Sequence, residues 1–206
     1  MKIMISLDQQ SSLLELVYSQ IPIISEAYKN RNSLIQEYKA DGCDFVTDID
    51  KQVEKNLSLG IREIFPTAVI FGEEFGLQDS LDEDSLLFLI DPIDGTKYFR
   101  YGMTFFTLSI GVQYRGKNIY GIILNPISGD IISGGPSYGV YNQFGKVESS
   151  KTLPLKDAQI YYDTVGIHSV PLLSIKRQDF AIFLSFLALA IVLDLHEFLV
   201  CMLLAP

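Results

Sequence analysis

The stretch Asp91-Pro92-Ile93-Asp94-Gly95-Thr96 holds the residues best equipped for chemistry. Two carboxylates this close in sequence repel one another when confined, and an oxygen-bound hard cation resolves that repulsion. Pro92 fixes its own φ and stiffens the bend, which lets Asp91 and Asp94 face one locus. The Ile93 carbonyl lies between them as a further oxygen donor. Gly95 permits close approach of backbone to a ligand, and Thr96 offers a hydroxyl where a helix can begin. Free N–H groups at a helix start bind phosphate, so a metal site and a phosphate site would adjoin. The shorter pattern D-P-x-D-G is also ordinary turn chemistry, so the reading depends on what the rest of the chain brings to this place.

The elements that would position the hexapeptide can be read from periodicity. Leu13, Leu14, Leu16, Val17, Ile21 and Ile24 recur at helical spacing, with Pro22 as a kink or break. Lys29 to Asp44 is polar and contains Asp41-Gly42, which predicts a turn or loop. Thr47 with Asp50 three residues on predicts a capping box, after which Val53, Leu57 and Ile61 repeat every four residues until Pro66 stops the helix. Two apolar runs, Ala68 to Phe71 and Leu86 to Ile90, each end in acidic residues and read as strands whose ends carry binding groups. The acidic loop from Asp79 to Asp84 reads as a solvated connection. From Phe105 onward the pattern is a meander: strands over Phe105 to Tyr114 and Ile119 to Leu124 flank a turn at Arg115-Gly116-Lys117-Asn118, and Gly134-Gly135-Pro136 forms a later break. Helices and a few strands followed by an antiparallel meander make an α+β protein.

The hexapeptide has partners in Gly72-Glu73-Glu74, after the first predicted strand, and in Asp44-Phe45-Val46-Thr47-Asp48-Ile49-Asp50, at the start of the second helix. In this order and spacing the set resembles the inositol monophosphatase family of Mg²⁺-dependent, lithium-sensitive phosphatases, from about Leu13 to about Lys146. The resemblance implies a layered αβαβα sandwich of the inositol monophosphatase/fructose-1,6-bisphosphatase type. It implies Glu73, Asp91, Asp94 and the Ile93 carbonyl as metal ligands, with Glu73 and Asp91 sharing a first Mg²⁺ and Asp91 and Asp94 holding a second. Asp50 would pair with the Thr96 hydroxyl to orient and activate water. The Gly95 and Thr96 amides would cradle phosphate, and Lys39 would stand on a loop covering the site. Asp48 is read as a helix cap. The implied activity is hydrolysis of a small phosphomonoester, inositol monophosphate or a related sugar phosphate, and the resemblance also points to a homodimer.

The family pattern breaks off late in the chain. It supplies another metal ligand as an aspartate directly after tryptophan, whereas this sequence contains no Trp and nothing after Val147 reproduces that segment. The expected organisation is therefore an α+β domain over residues 1–165 and a divergent apolar tail over 166–206, with the C-terminal part of the fold incomplete. The alternative function is a catalytically impaired remnant that binds metal or a partner without turnover. Phe180 to Leu193 is apolar apart from Ser185, but these 14 residues fall short of a bilayer span, which takes roughly 20. Asp194, His196 and Glu197 would make a longer span costly, so a membrane is disfavoured.

Composition agrees with this assignment. A net charge of -9 over 206 residues argues against a nucleic-acid polymer as partner, while a small phosphorylated metabolite remains compatible because bound cations supply local positive charge. Two cysteines, Cys43 and Cys201, make no disulfide framework, and two histidines without a CxxC or HExxH motif disfavour zinc. No secretory signal is read over Met1 to Gln10, and the expected compartment is the reducing cytoplasm.

Overall fold

The computed structural model describes residues 5–34, 36–38 and 45–148. Lys39, Asp44, the predicted Asp41-Gly42 turn, the 165/166 boundary and the apolar tail lie outside the described residues.

The N-terminal periodic segment forms two helices, so the expected kink or break is a break, just ahead of Pro22. Helix α1 (Leu7–Tyr18) starts from a capping box in which the Ser6 side chain accepts from the Gln9 N–H while the Gln9 side chain accepts from the Ser6 N–H. Helix α2 (Ile21–Lys29) carries Pro22 in its first turn, where no intrahelical donor is lost. A 3₁₀ turn (Arg31–Ser33) follows, then a two-stranded antiparallel sheet of β1 (Gln36–Tyr38) and β2 (Phe45–Thr47). Strand β1 falls in the segment predicted as turn or loop; three residues are too few to impose a recognisable period.

Helix α3 (Asp48–Ile64) has Thr47 as its N-cap, with the predicted capping box complete in both directions. Asp48 is therefore not the cap but the first helical residue, exposed, where its charge favours the positive end of the helix dipole. The helix ends ahead of Pro66, with Phe65 as C-cap. Two rows of residues at four-residue spacing run side by side along it: an apolar row of Ile49, Val53, Leu57 and Ile61, and a polar row of Asp50, Glu54, Ser58 and Arg62. The apolar row is almost fully buried, and so are Asp50, Glu54 and Ser58.

The main sheet has eight strands in the order β10-β9-β8-β7-β6-β5-β3-β4. They are β3 (Ala68–Gly72), β4 (Gly76–Leu77), β5 (Leu86–Asp94), β6 (Thr107–Tyr114), β7 (Lys117–Leu124), β8 (Ile131–Gly135), β9 (Gly139–Asn142) and β10 (Gly145–Val147), with the short helix α4 (Thr96–Tyr101) after β5. Strands β3 and β5 pair in parallel, and every other pair is antiparallel. The turn between β6 and β7 is tighter than predicted, only Arg115 and Gly116, both at positive φ as a two-residue hairpin requires. The predicted break at Gly134-Gly135 is instead the end of β8; a Cβ on Gly135 would meet the Ile119 carbonyl oxygen at 2.1 Å, so these glycines admit close strand packing.

Leu13, Val17 and Ile24 join the apolar row of α3 in one buried cluster with Phe88, Ile90, Leu108, Ile110, Val112, Ile122 and Leu124 from the sheet. The alternating positions of β6 thus face the helices. The opposite face carries a smaller set, Ile123, Ile132 and Val140, that is partly buried. This is the layered α+β arrangement expected. Among the described residues no helix is long and apolar enough to cross a membrane.

Candidate metal and phosphate site

Strand β5 does not end at Ile90, as its apolar run predicts, but continues through Asp94. On β6, Asp91 pairs with Ser109 and Asp94 with Thr107, so the register shifts between them and β5 carries one residue more than its partner. Side chains alternate along a regular strand, and residues three apart face opposite ways. The extra residue of a bulge reverses that parity and re-aims the chain, which brings both carboxylates toward one side. Pro92, which has no N–H to give the ladder, sits inside the bulge.

Glu73 enters from the neighbouring strand. Gly72 is in register with Ile90, and the Glu73 N–H donates to the Ile90 carbonyl oxygen at 3.0 Å. The parallel pair thus delivers Glu73 and Asp91 side by side at the carboxyl ends of two strands, and their carboxyl groups share a hydrogen bond. Asp50, in the first turn of α3, completes the acidic group.

Burial dominates the electrostatics here. It pushes Asp91 well above the usual carboxylate range, and the charges of Asp94 and Glu73 add to the effect. Asp94 is pushed up to about 6 by burial and then by Glu73. Asp50 is pushed up to about 7 by burial, against hydrogen bonds from the Thr47 hydroxyl and N–H that favour its charged form. The Oδ1 atoms of Asp50 and Asp91 are buried without a hydrogen-bond partner. Carboxylates crowded together at a partly buried site are a donor set for a hard divalent cation. Among the described residues no three His, Cys, Asp or Glu side chains already stand as a metal-holding cluster. The fit accordingly rests on the all-oxygen donor set and on the orphaned Asp91 oxygen.

Gly95 caps α4 in the left-handed region, at φ 98° and ψ 39°. A Cβ there would stand 3.1 Å from the Phe105 carbonyl oxygen and 3.3 Å from the Phe106 side chain, so glycine is required both by conformation and by space. Thr96 is buried, and its hydroxyl donates to the Ile93 carbonyl oxygen at 3.1 Å. The expected Thr96–Asp50 pairing is replaced by two local bonds: Thr96 closes back on Ile93, and Asp50 is engaged by Thr47 at the helix start.

Sequence reasoning missed Glu54. It is fully buried, and its carboxylate accepts the Glu74 N–H at 2.7 Å and the Phe75 N–H at 3.1 Å. The available signal was its place one helical turn after Asp50, on a face otherwise occupied by Ser58.

The sequence profile of the inositol monophosphatase family matches residues 9–184. The chain is 32% identical to the inositol-1-monophosphatase of Bacillus subtilis over 148 residues, 71% of this chain and 54% of that protein. It is 34% identical to the Nus factor SuhB of Pseudomonas aeruginosa over 98 residues, 47% of this chain and 36% of that protein. Among solved structures, the SuhB protein of Bartonella henselae superposes with a TM-score of 0.65 at 25% identity, over 72% of this chain and 57% of the other. The IMPase of Thermotoga maritima superposes with the same TM-score at 24% identity, covering 74% and 57% respectively, which adds support for the fold. The alignments span about a third to about half of the length of the curated relatives. On the strength of a profile match running through most of its length, the chain belongs to the inositol monophosphatase family.

Proposed function

We propose that this chain carries the cation-holding half of a phosphoric monoester hydrolase for small phosphorylated metabolites. Inositol monophosphate, or a related sugar phosphate, is the first substrate to test. The observation that carries the reading is the bulge of β5, which turns Asp91 and Asp94 toward the Glu73 carboxylate supplied by the parallel strand beside it.

In this reading Glu73, Asp91, Asp94 and the Ile93 carbonyl hold Mg²⁺. Bound there, Mg²⁺ would supply a nucleophile at neutral pH and charge stabilisation at the leaving oxygen. The chain's own part is placement. The bulge fixes the spacing of the two aspartates, the Glu73 N–H ties the β3 end to β5, and the Gly95 conformation turns the chain so that the Gly95 and Thr96 amides can meet a phosphate. Asp50, raised to about 7, can accept or hold a proton near neutral pH. Lys39 belongs to the same proposal as a loop residue over the site. A cytoplasmic location and a homodimer complete it.

A second reading is favoured by one observation: the sequence has no tryptophan and so lacks the Trp-Asp segment of the family. In that case the chain binds a cation or a partner without turnover. Two of the relatives reported above bear the name SuhB, one of them as a Nus factor, which fits a binding role.

A phosphomonoester panel with purified protein, Mg²⁺ and a Li⁺ titration tests both. Lithium-sensitive phosphate release supports the hydrolase. Mg²⁺ binding with no release from any ester supports the second reading, and neither binding nor release overturns the hydrolase and the cation-binding form of the second reading.

A further inference from the structure

The polar row of α3 meets the hairpin that carries Glu73. Glu54 lies fully buried one turn beyond Asp50, and its two carboxylate oxygens are divided between consecutive backbone donors, Oε2 taking the Glu74 N–H at 2.7 Å and Oε1 the Phe75 N–H at 3.1 Å. Gly72, on the other side of Glu73, packs directly on this carboxylate; a Cβ there would fall 1.7 Å from Glu54 Oε1. The row continues outward. The Gln78 side-chain amide donates to Ser58 Oγ at 3.2 Å, while Arg62 bridges to Gln78 at 3.2 Å and to Asp79 at 2.8 Å. Residues 54, 58 and 62 are thus successive rungs against the β3–β4 hairpin, and the innermost rung, Glu54, is the one next to Glu73.

A fully buried carboxylate is costly unless hydrogen-bonded, and here both bonds come from consecutive backbone N–H groups of the turn after β3. Core packing of α3 needs no acid at this position, since the apolar row already supplies it. The contacts fall instead on the residues before and after a candidate ligand. We infer that Glu54 is a positioning residue: it clamps the turn Gly72-Glu73-Glu74-Phe75 from inside the protein and so fixes the place of the Glu73 carboxylate relative to Asp91. This deepens the cation-site reading and rests on it for the role of Glu73, but the clamp itself can be tested without a cation.

The chemistry of the clamp selects the variants. Glu54→Gln is nearly isosteric but has one acceptor and a donor NH₂, so either the Glu74 or the Phe75 N–H faces another donor. Glu54→Asp keeps the charge and both oxygens but is shorter by one methylene, ~1.5 Å of reach. Arg62→Ala cuts the outer rung alone. The experiment measures amide hydrogen exchange on the metal-free full chain, Mn²⁺ affinity by electron paramagnetic resonance, and the thermal midpoint of each variant.

Glu54→Gln should speed exchange at least about tenfold at whichever of Glu74 and Phe75 faces the new NH₂, and Glu54→Asp at both, with Leu57 and Ile61 in α3 unchanged. Both variants should weaken Mn²⁺ binding about tenfold, the scale expected when a group that orients a ligand is lost. Arg62→Ala should leave Mn²⁺ affinity within about twofold of the parent, a contrast that a general loosening of the hairpin would not give. The inference is overturned if Glu74 and Phe75 stay protected in Glu54→Gln. It is also overturned if Glu54→Asp behaves as the parent in both readouts, since charge and not reach would then suffice. Should Glu54→Gln not fold, Glu54→Asp carries the same two measurements. Equal Mn²⁺ affinity in the parent and Glu73→Gln would instead remove the cation-site reading, and the exchange data would still decide the clamp.

Discussion

Asp91 and Asp94 are three residues apart in the chain but stand opposite Ser109 and Thr107, two residues apart on the partner strand. That single-residue mismatch is what allows two side chains of odd separation to share a side of the sheet. Their proximity has a cost that the electrostatics records: burial raises the carboxyl groups of both residues, and Asp94 contributes to the rise at Asp91. An arrangement that stores repulsion in a buried site is poised to release it to a cation.

Asp91→Asn should therefore have opposite effects on stability and function. Replacing a buried, crowded carboxyl by a neutral amide of the same shape removes the repulsion, and a gain of about 1 kcal/mol would raise the thermal midpoint of metal-free protein by roughly 2–4 °C for a chain of this length. The same change removes a charged ligand, so the further stabilisation the parent gains from Mg²⁺ should disappear, along with any Mg²⁺-dependent phosphate release. Scanning calorimetry with EDTA and then with Mg²⁺ checks both. A variant that melts lower without metal and still responds fully to Mg²⁺ would contradict the geometry.

The elements that local patterns specify were legible in the sequence: α3 with its capping box, the strand-like runs Ala68 to Phe71 and Leu86 to Ile90, and the meander after Phe105. The donor types in the site were legible as well, since Asp91, Asp94 and Glu73 stand together in the motif order. What was not legible is what depends on pairing partners far along the chain. The continuation of β5 through Pro92 is decided by Ser109 and Thr107 across the ladder, not by local propensity, and an X-Pro-Ile-X string reads locally as a bend. Asp48 and Thr47 compete for the cap, and the choice depends on which residue keeps extended backbone. Glu54 stayed invisible because one acid among solvated helix residues carries no mark of burial until the hairpin is placed over it.

The pH dependence of the metal-free protein should run against the usual trend for carboxylates. Asp94 is raised to about 6 and Asp50 to about 7, both by burial first, so across roughly pH 4 to 7 the folded state holds more protons at these groups than the unfolded chain, whose carboxyls titrate near 4. Their contribution is greatest below the unfolded values and is lost as the pH rises through 6 and 7. Thermal melts in EDTA should show Asp50→Asn and Asp94→Asn flattening a decline in stability between about pH 4 and 7. Bound Mg²⁺ should reverse the slope, because it competes with those protons. Parallel pH curves for the parent and both variants would count against the assigned shifts.

Gly95→Ala tests the turn into α4. The residue occupies φ 98°, and an added Cβ would press within 3.1 to 3.3 Å of the Phe105 carbonyl, Tyr98 and Phe106. A non-glycine residue in such a conformation costs on the order of 1–3 kcal/mol. Phosphate or phosphate-ester affinity should fall more than Mg²⁺ affinity, because Asp91 and Asp94 precede the turn. Isothermal titration with inorganic phosphate in saturating Mg²⁺ separates the two losses; equal weakening of both ligands would show that the turn and the carboxylates move as one.

Thr47→Ala distinguishes the structural work of Asp50 from its proposed chemical work. Thr47 ties Asp50 Oδ2 through its N–H at 2.9 Å and through its hydroxyl. Removing the hydroxyl takes away a helix cap, worth about 0.5–2 kcal/mol, and one of the two bonds that hold the Asp50 carboxyl down against burial. The carboxyl should then rise further above about 7, and any acid limb of a pH–rate profile set by Asp50 should move to higher pH. Thr47→Ser keeps the hydroxyl and should restore that limb even where some stability is lost. If Thr47→Ala lowers stability while the profile keeps its position, Asp50 is only the partner in a helix cap, and the base or acid at this site must be sought among Glu73, Asp91 and Asp94.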